Sequence, residues 1–124
     1  MGAYCMGGVW VDGSSRAYKD GIVSLTAKEA VEAFKGLEPV KYVYRDDKEE
    51  QHIGFIAEDV PELVATKDRK GLSPMDIVAV LTKVVQEQQK TIKELKEEQQ
   101  KSIADQRKEI TELRESIAKL KKGK

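Results

Sequence analysis

The feature that most constrains this chain is a stretch with no break in it: from Met75 to Lys122 there is neither proline nor glycine. Ahead of it, Ser73 offers an N-cap oxygen, Pro74 suits a first helical position, and Asp76 complements the positive end of the helix dipole. The spacing predicts one helix of about 48 residues, roughly 70 Å long at about 1.5 Å per residue. Along it, Val78, Leu81, Val85, Gln88, Ile92, Leu95, Gln99, Ile103, Gln106, Ile110, Leu113, Ile117 and Leu120 recur at steps of three and four. That is a coiled-coil stripe. Two consecutive steps of four, Leu95 through Gln99 to Ile103, make a stutter that relaxes the left-handed supercoil. A long helix with one narrow apolar stripe is not stable alone in water, so the stripe must be covered by copies of itself or by another helix. Ile103, Ile110 and Ile117 with Leu113 and Leu120 follow the preference of parallel dimers, whereas three seam glutamines suit a wider, wetter trimer. The pattern leaves two strands or three open.

Three zones follow from composition. Residues 1–13 are a glycine-rich leader with the apolar stretch Val9-Trp10-Val11, read as extended chain or an edge strand. Residues 14–72 mix periodicities as a small α+β head does, and residues 73–124 are the long helix. In the head, Thr26 with Glu29 three residues later is a capping box opening a helix from Ala27 to Lys35, with Ala30, Val31 and Phe34 on one face and Gly36 at its end. Val40 to Tyr44 and His52 to Ile56 read as paired strands, the charged tract Arg45 to Gln51 as their hairpin loop, and Pro61 to Ala65 as a short helix starting at Asp59 or Val60. The fold class expected is α+β: a small head with a β-hairpin and short helices, followed by a long C-terminal helix. The terminal Lys121-Lys122-Gly123-Lys124 cluster reads as a helix end satisfied by cations and a glycine.

Composition excludes several function classes. Lysine plus arginine number 22 and aspartate plus glutamate 22, so no net field attracts a nucleic acid or an anionic membrane. No apolar run reaches the roughly 18 residues of a bilayer span, and no signal peptide opens the chain. A lone cysteine, Cys5, forms no internal disulfide and reads as a free thiol. One histidine and one cysteine fall short of the about four nitrogen or sulfur ligands of a zinc site, and no pattern calls for a metal or other cofactor. His52 reads as a half-buried strand residue, Arg16 as a solvated cation within reach of Asp20 or of Glu58 in a neighbouring chain, and Glu58 and Asp59 as carboxylates complementing a helix start. Trp10 is expected to pack on the head and hold the segment before Ser14.

Chemistry concentrates where leader meets head. Ser14 and Lys19 place a hydroxyl five residues before an amine, and a lysine whose ammonium is desolvated becomes a neutral base that activates a serine. By itself the spacing is common. Its surroundings are not: Ser14-Ser15-Arg16-Ala17-Tyr18-Lys19-Asp20-Gly21-Ile22 resembles the Ser-Asp-Arg-x-Leu-Lys-Glu-Asn-Ile signature of the intramolecular chaperone auto-processing domain, the chaperone of endosialidase family of phage tailspikes and tail fibres. Leu37 to Tyr44 is similar to that family's Leu-x-Pro-Val-x-Tyr-x-Tyr strand, and His52 to Val64 to its Gly-Phe-Ile-Ala-Gln-Glu-Val segment ending in Pro-Glu-Leu. The likeness runs from Trp10 to about Leu95. Ser15 stands where the signature has aspartate, Asp20 for glutamate and Gly21 for asparagine.

The resemblance implies a homotrimer that assists folding of a fibrous segment preceding it and then cuts itself free. It makes Ser14 the nucleophile, Lys19 the base, and Gly13, Ser14 and Ser15 the cleavage site. Ser14 attacking the Gly13 carbonyl gives an N-to-O acyl shift and an ester that water hydrolyses; the bond after Ser14 is the other candidate. Gly13 is expected to give that carbonyl a strained, exposed geometry. The fibre would precede residue 1, Met1 marking an excised start, and the partners implied are other copies of the chain and that upstream segment. The setting implied is a virion tail fibre precursor made in the host cytoplasm, or a bacterial protein. A trimerisation or coiled-coil scaffold module with an idle serine is the alternative.

Overall fold

The computed structural model describes residues 2–123; Met1, which opens the leader, and Lys124, which closes the cationic tail, lie outside the described residues. In chain order the elements are β1 (Tyr4–Met6), β2 (Val9–Val11), α1 (Ala27–Gly36), β3 (Val40–Tyr44), β4 (Asp47–Gly54) and α2 (Pro74–Lys122), with 3-10 turns at Arg16–Tyr18 and Glu62–Val64. The expected α+β class is the one observed. β1 and β2 form one antiparallel hairpin and β3 and β4 another. Among the described residues no helix is long and apolar enough to cross a membrane.

The head is organised by helix packing. α1 buries Ala30 and Ala33 against Ile77, Val80 and Val84 of α2, and Val60 and Val64 from the intervening loop complete this core. Two alanines at the contact let the helix backbones approach closely, and their lack of side-chain entropy makes the burial inexpensive. The face expected from Ala30, Val31 and Phe34 is rotated in the structure: Ala33 replaces Phe34, which is 43% exposed. Thr26 caps α1 as expected. Its hydroxyl accepts from the Glu29 amide at 3.2 Å while the Glu29 carboxylate accepts from the Thr26 amide at 3.0 Å. Leu25, just before the cap, packs on the core.

The second hairpin corrects the expected loop. Its turn is only Arg45 and Asp46, and the charged residues from Asp47 to Gln51 belong to β4, which ends at Gly54 rather than Ile56. A two-stranded ribbon wets both faces, so charged residues pair there without desolvation and leave no alternating pattern to read. Lys41 pairs with Ile53 and Tyr42 with His52, with a register shift between Tyr42 and Tyr44. The short helix expected at Pro61–Ala65 is a 3-10 turn, Glu62–Val64. Beyond it, Arg69 at φ 51° donates to the carbonyls of Glu58 (3.3 Å) and Val60 (2.9 Å) and pairs with Glu62 at 3.2 Å. That guanidinium ties the loop together before α2.

α2 begins and ends where the sequence placed it, although the Ser73 hydroxyl makes no capping bond. The Gly123 amide donates to Lys119 O at 3.2 Å, with Lys119, Lys121 and Lys122 in the last turn. The apolar stripe is open: from Val78 to Leu120 its valines, leucines and isoleucines are between 39% and 74% exposed. The head occupies a different face of the same helix, one residue, or about 100°, around from Val78, Leu81 and Val85.

Gly36 ends α1 for a steric reason, since a Cβ there would lie 2.7 Å from Pro61 Cγ, a ring carbon with little freedom to move. Gly36→Ala is expected to lower stability in urea by about 1–2 kcal/mol, overpacking outweighing the helix propensity that alanine adds. Gly71→Ala, where an added Cβ meets nothing within 4 Å, should change it by about 0.5 kcal/mol or less. The capping bonds from Thr26, the backbone one foremost, hold the Glu29 carboxyl below its ordinary value. A depressed carboxyl stabilises the fold above the ordinary carboxylate range and loses that contribution as pH falls through its lowered value. Urea titrations should therefore show the native chain more stable than Glu29→Gln at neutral pH, with the gap closing in acid.

Candidate active site at the leader–head junction

Ser14 and Lys19 meet because the chain turns sharply between them. The turn is the 3-10 segment Arg16–Tyr18: the Tyr18 amide donates to Ser15 O at 3.0 Å and the Lys19 amide to Arg16 O at 3.1 Å. Ser15 is its N-cap, with the Oγ accepting from the Ala17 amide at 3.2 Å. Lys19 Nζ donates to Ser14 Oγ at 2.6 Å. In extended chain the two Cα atoms would stand roughly 17 Å apart, beyond the reach of a lysine side chain, so the turn is what brings the pair together.

Both side chains are exposed in the single chain. A lysine that donates to the hydroxyl must first lose a proton before it accepts one, and apolar surroundings are what favour that. Apolar side chains without cover lie close by in sequence: Trp10 is 75% exposed and Val23 86%, and Val9, Tyr18 and Ile22 are exposed as well. Trp10 does not pack on the head. It stands on β2 in a small hairpin whose turn, Gly7-Gly8, has φ of 59° and 81°, the positive values a tight two-residue turn demands. The leader, expected as extended chain or an edge strand, carries that hairpin. Its first strand was missed, although a Gly-Gly pair between short apolar stretches is the signal for it.

Other expectations at the junction resolve as follows. Gly21, two residues past Lys19, is left-handed at φ 62°; Gly13 is not among the glycines with positive φ, so the special backbone expected at Gly13 falls after Lys19 instead. No donor among the described residues bonds the Gly13 carbonyl. Arg16 forms no ion pair among the described residues, where the pairs are Arg69–Glu62 and Lys70–Glu58. Cys5 is a free, exposed thiol on β1.

A second group of polar aromatics lies on the β3–β4 hairpin. Tyr42 stacks on His52 with ring centroids 5.8 Å apart, and the rings of Tyr44 and His52 lie 5.2 Å apart edge-on. The Tyr44 hydroxyl, 3.4 Å away, pushes the Tyr42 phenol above its ordinary value. Gly54 lets the Tyr42 ring lie over the strand, since a Cβ would come within 3.3 Å of it. His52 is half-buried there and serves packing, as expected. The adjoining open groove, about 740 Å³, is lined by Tyr42, Phe55, Leu72 and Ile77 among others and holds neither Ser14 nor Lys19.

The arrangement at the junction can do one kind of chemistry without a substrate pocket. The Ser14 hydroxyl is held beside an amine and is covalently joined to the Gly13 carbonyl, which gives that carbonyl a high effective concentration at the hydroxyl. Comparison with known families agrees with the ordered blocks: residues 14–67 match a peptidase family model described as chaperone of endosialidase, and the match begins at Ser14. No curated protein and no solved structure matches the chain.

Proposed function

We propose, from the premise that residues 14–67 are a chaperone of endosialidase domain, that this chain trimerises through α2, assists folding of a fibrous segment joined to its N-terminus, and then releases itself at Gly13–Ser14. The observation that carries the reading is the Lys19–Ser14 contact of 2.6 Å at the first residue of the matched segment. Ser14 Oγ adds to the Gly13 carbonyl carbon as its proton passes to a neutral Lys19 amine. The tetrahedral adduct expels the Ser14 nitrogen, which takes the proton back from Lys19, leaving Gly13 esterified to Ser14 Oγ. Water then hydrolyses the ester to a Gly13 carboxylate and a free Ser14 hydroxyl.

Trimerisation is supported by the open stripe on α2 and by its seam glutamines, which a three-stranded interior accommodates. Three parallel chains bring three leaders into register, lowering the loop-closure entropy of nucleating an intertwined fibre. Packing the junctions of neighbouring copies together would cover Trp10, Ile22 and Val23, exclude water from Lys19, and supply the donors that the Gly13 carbonyl lacks. Cleavage then reports correct assembly. Once cut, the fibre keeps its shape kinetically, because refolding needs the module it has lost. The setting proposed is a phage tail fibre or tailspike precursor in its host, or a bacterial counterpart. The exposure of both Ser14 and Lys19 in a single chain favours, as second reading, a trimerisation cap with an idle serine.

Intact mass of a chain carrying its native upstream segment separates the two. Loss of that segment is expected, slowed about 10²-fold or more in Ser14→Ala and Lys19→Ala; an intact chain on prolonged incubation supports the cap, and cleavage persisting in Ser14→Ala overturns the mechanism. Light scattering should give three times the 13.9 kDa chain mass, falling in Ile110→Lys combined with Leu113→Lys, each substitution forfeiting about 1.5–3 kcal/mol of burial per chain. A stable dimer would instead favour a coiled-coil scaffold.

A further inference from the structure

We infer that Ser15 is a positioning residue: its hydroxyl closes the 3-10 turn that sets Ser14 Oγ against Lys19 Nζ. The inference rests on the Ser14–Lys19 reading above and adds to it the part that holds the pair in register.

Among the described residues, the hydrogen bonds that keep this turn are local. Arg16–Tyr18 contains no buried residue, and three hydrogen bonds close the turn: two between backbone groups and the third from the Ala17 amide to Ser15 Oγ. A three-residue 3-10 turn has poor hydrogen-bond geometry and is marginal on its own. Removing one bond of three from a turn without tertiary support shifts its population, and with it the fraction of chains in which Lys19 reaches Ser14. Ser15 has the extended backbone of an N-cap, φ −63° and ψ 144°, and its oxygen meets an amide that no other group among the described residues satisfies. Serine, aspartate and asparagine are near-equivalent caps. The aspartate of the signature and the serine of this chain can therefore do the same work through one side-chain oxygen, and no negative charge is required of it.

Gly21 follows the same logic on the other side of the pair. At φ 62°, with open space where a Cβ would be, it is selected by backbone conformation and not by room. Asparagine, the residue of the signature, is the side chain that best tolerates that region. Both departures from the signature at positions 15 and 21 thus preserve backbone geometry around Ser14 and Lys19.

The test reads the pair both with and without cleavage. In the full chain with Cys5→Ser, the substitution Ser14→Cys puts a thiol beside Lys19, and its alkylation by iodoacetamide as a function of pH gives its thiolate fraction. Relative to the same chain with Lys19→Ala, thiolate at neutral pH should be enriched about tenfold, as a neighbouring ammonium enriches it. Adding Ser15→Ala should abolish most of that enrichment, and Ser15→Asn should keep it. In the chain with Ser14 intact, the cleavage rate should fall about five- to tenfold in Ser15→Ala, the population effect of one lost cap, and stay near the native rate in Ser15→Asn. Enrichment that survives Ser15→Ala, that is lost equally in Ser15→Asn, or that is missing from all these chains overturns the role of Ser15. Native chains that never cleave while the thiol responds as expected overturn self-cleavage alone and leave the positioning role standing.

Discussion

The contact between α1 and the first turns of α2 is the constraint on which the rest of the structure depends. Among the described residues the core that the head shares with α2 is small, seven buried residues with no side chain larger than isoleucine. Small domains of this size bury too little apolar surface to be generously stable, so a docking helix that is capped and closely packed has unusual weight. Ala30 and Ala33 allow that close docking, the Thr26–Glu29 box closes the N-terminal end of α1, and Gly36 against Pro61 closes the other. Because Ile77, Val80 and Val84 are consumed by this contact, α2 faces its open stripe elsewhere. The helix carries two apolar faces with different destinations, and only one is satisfied within the chain.

This division bears on assembly and on chemistry together. If the open stripe is covered by other copies, as proposed, each head would be carried on the outside of the bundle. The junction leaves apolar surface uncovered: a hairpin with exposed aromatic and valine side chains, then a turn, then exposed Ile22 and Val23. Ser14 and Lys19 are brought within hydrogen-bond distance by local structure, whereas the water exclusion that serine–lysine chemistry needs is absent from the isolated chain. On the proposed reading the turn supplies the local geometry and assembly would supply the environment. A self-cleaving module with those two requirements separated would be quiet as a monomer.

Much of this was legible in the residues. Capping chemistry is encoded within four positions, so Thr26 and Glu29 announced α1, and the absence of any proline or glycine from Met75 to Lys122 announced α2 to within a residue or two of its ends. Val40 to Tyr44 was read as β3 at its observed bounds. What misled was polarity. The strand from Asp47 reads as a loop because charged residues are depleted in strands that have a buried face, and this one has none. Phe34 reads as core because it is large and apolar, yet the close approach of two helices admits Ala33 and leaves Phe34 at the rim. At the junction, the Ser14–Lys19 contact joins two residues that the ordered blocks single out, whereas the bond from the Ala17 amide to Ser15 Oγ depends on a turn that the pattern does not announce.

Sequence alone determined the long helix, the capping box of α1 and the heptad-like stripe, because each of these depends on residues within one or two turns of chain. Only the tertiary structure decided which face of α2 the head would occupy and where the glycines are irreplaceable. It also decided that Trp10 and the residues after Lys19 stand uncovered. Those outcomes depend on how distant segments fit as volumes, and a one-dimensional pattern does not record volume.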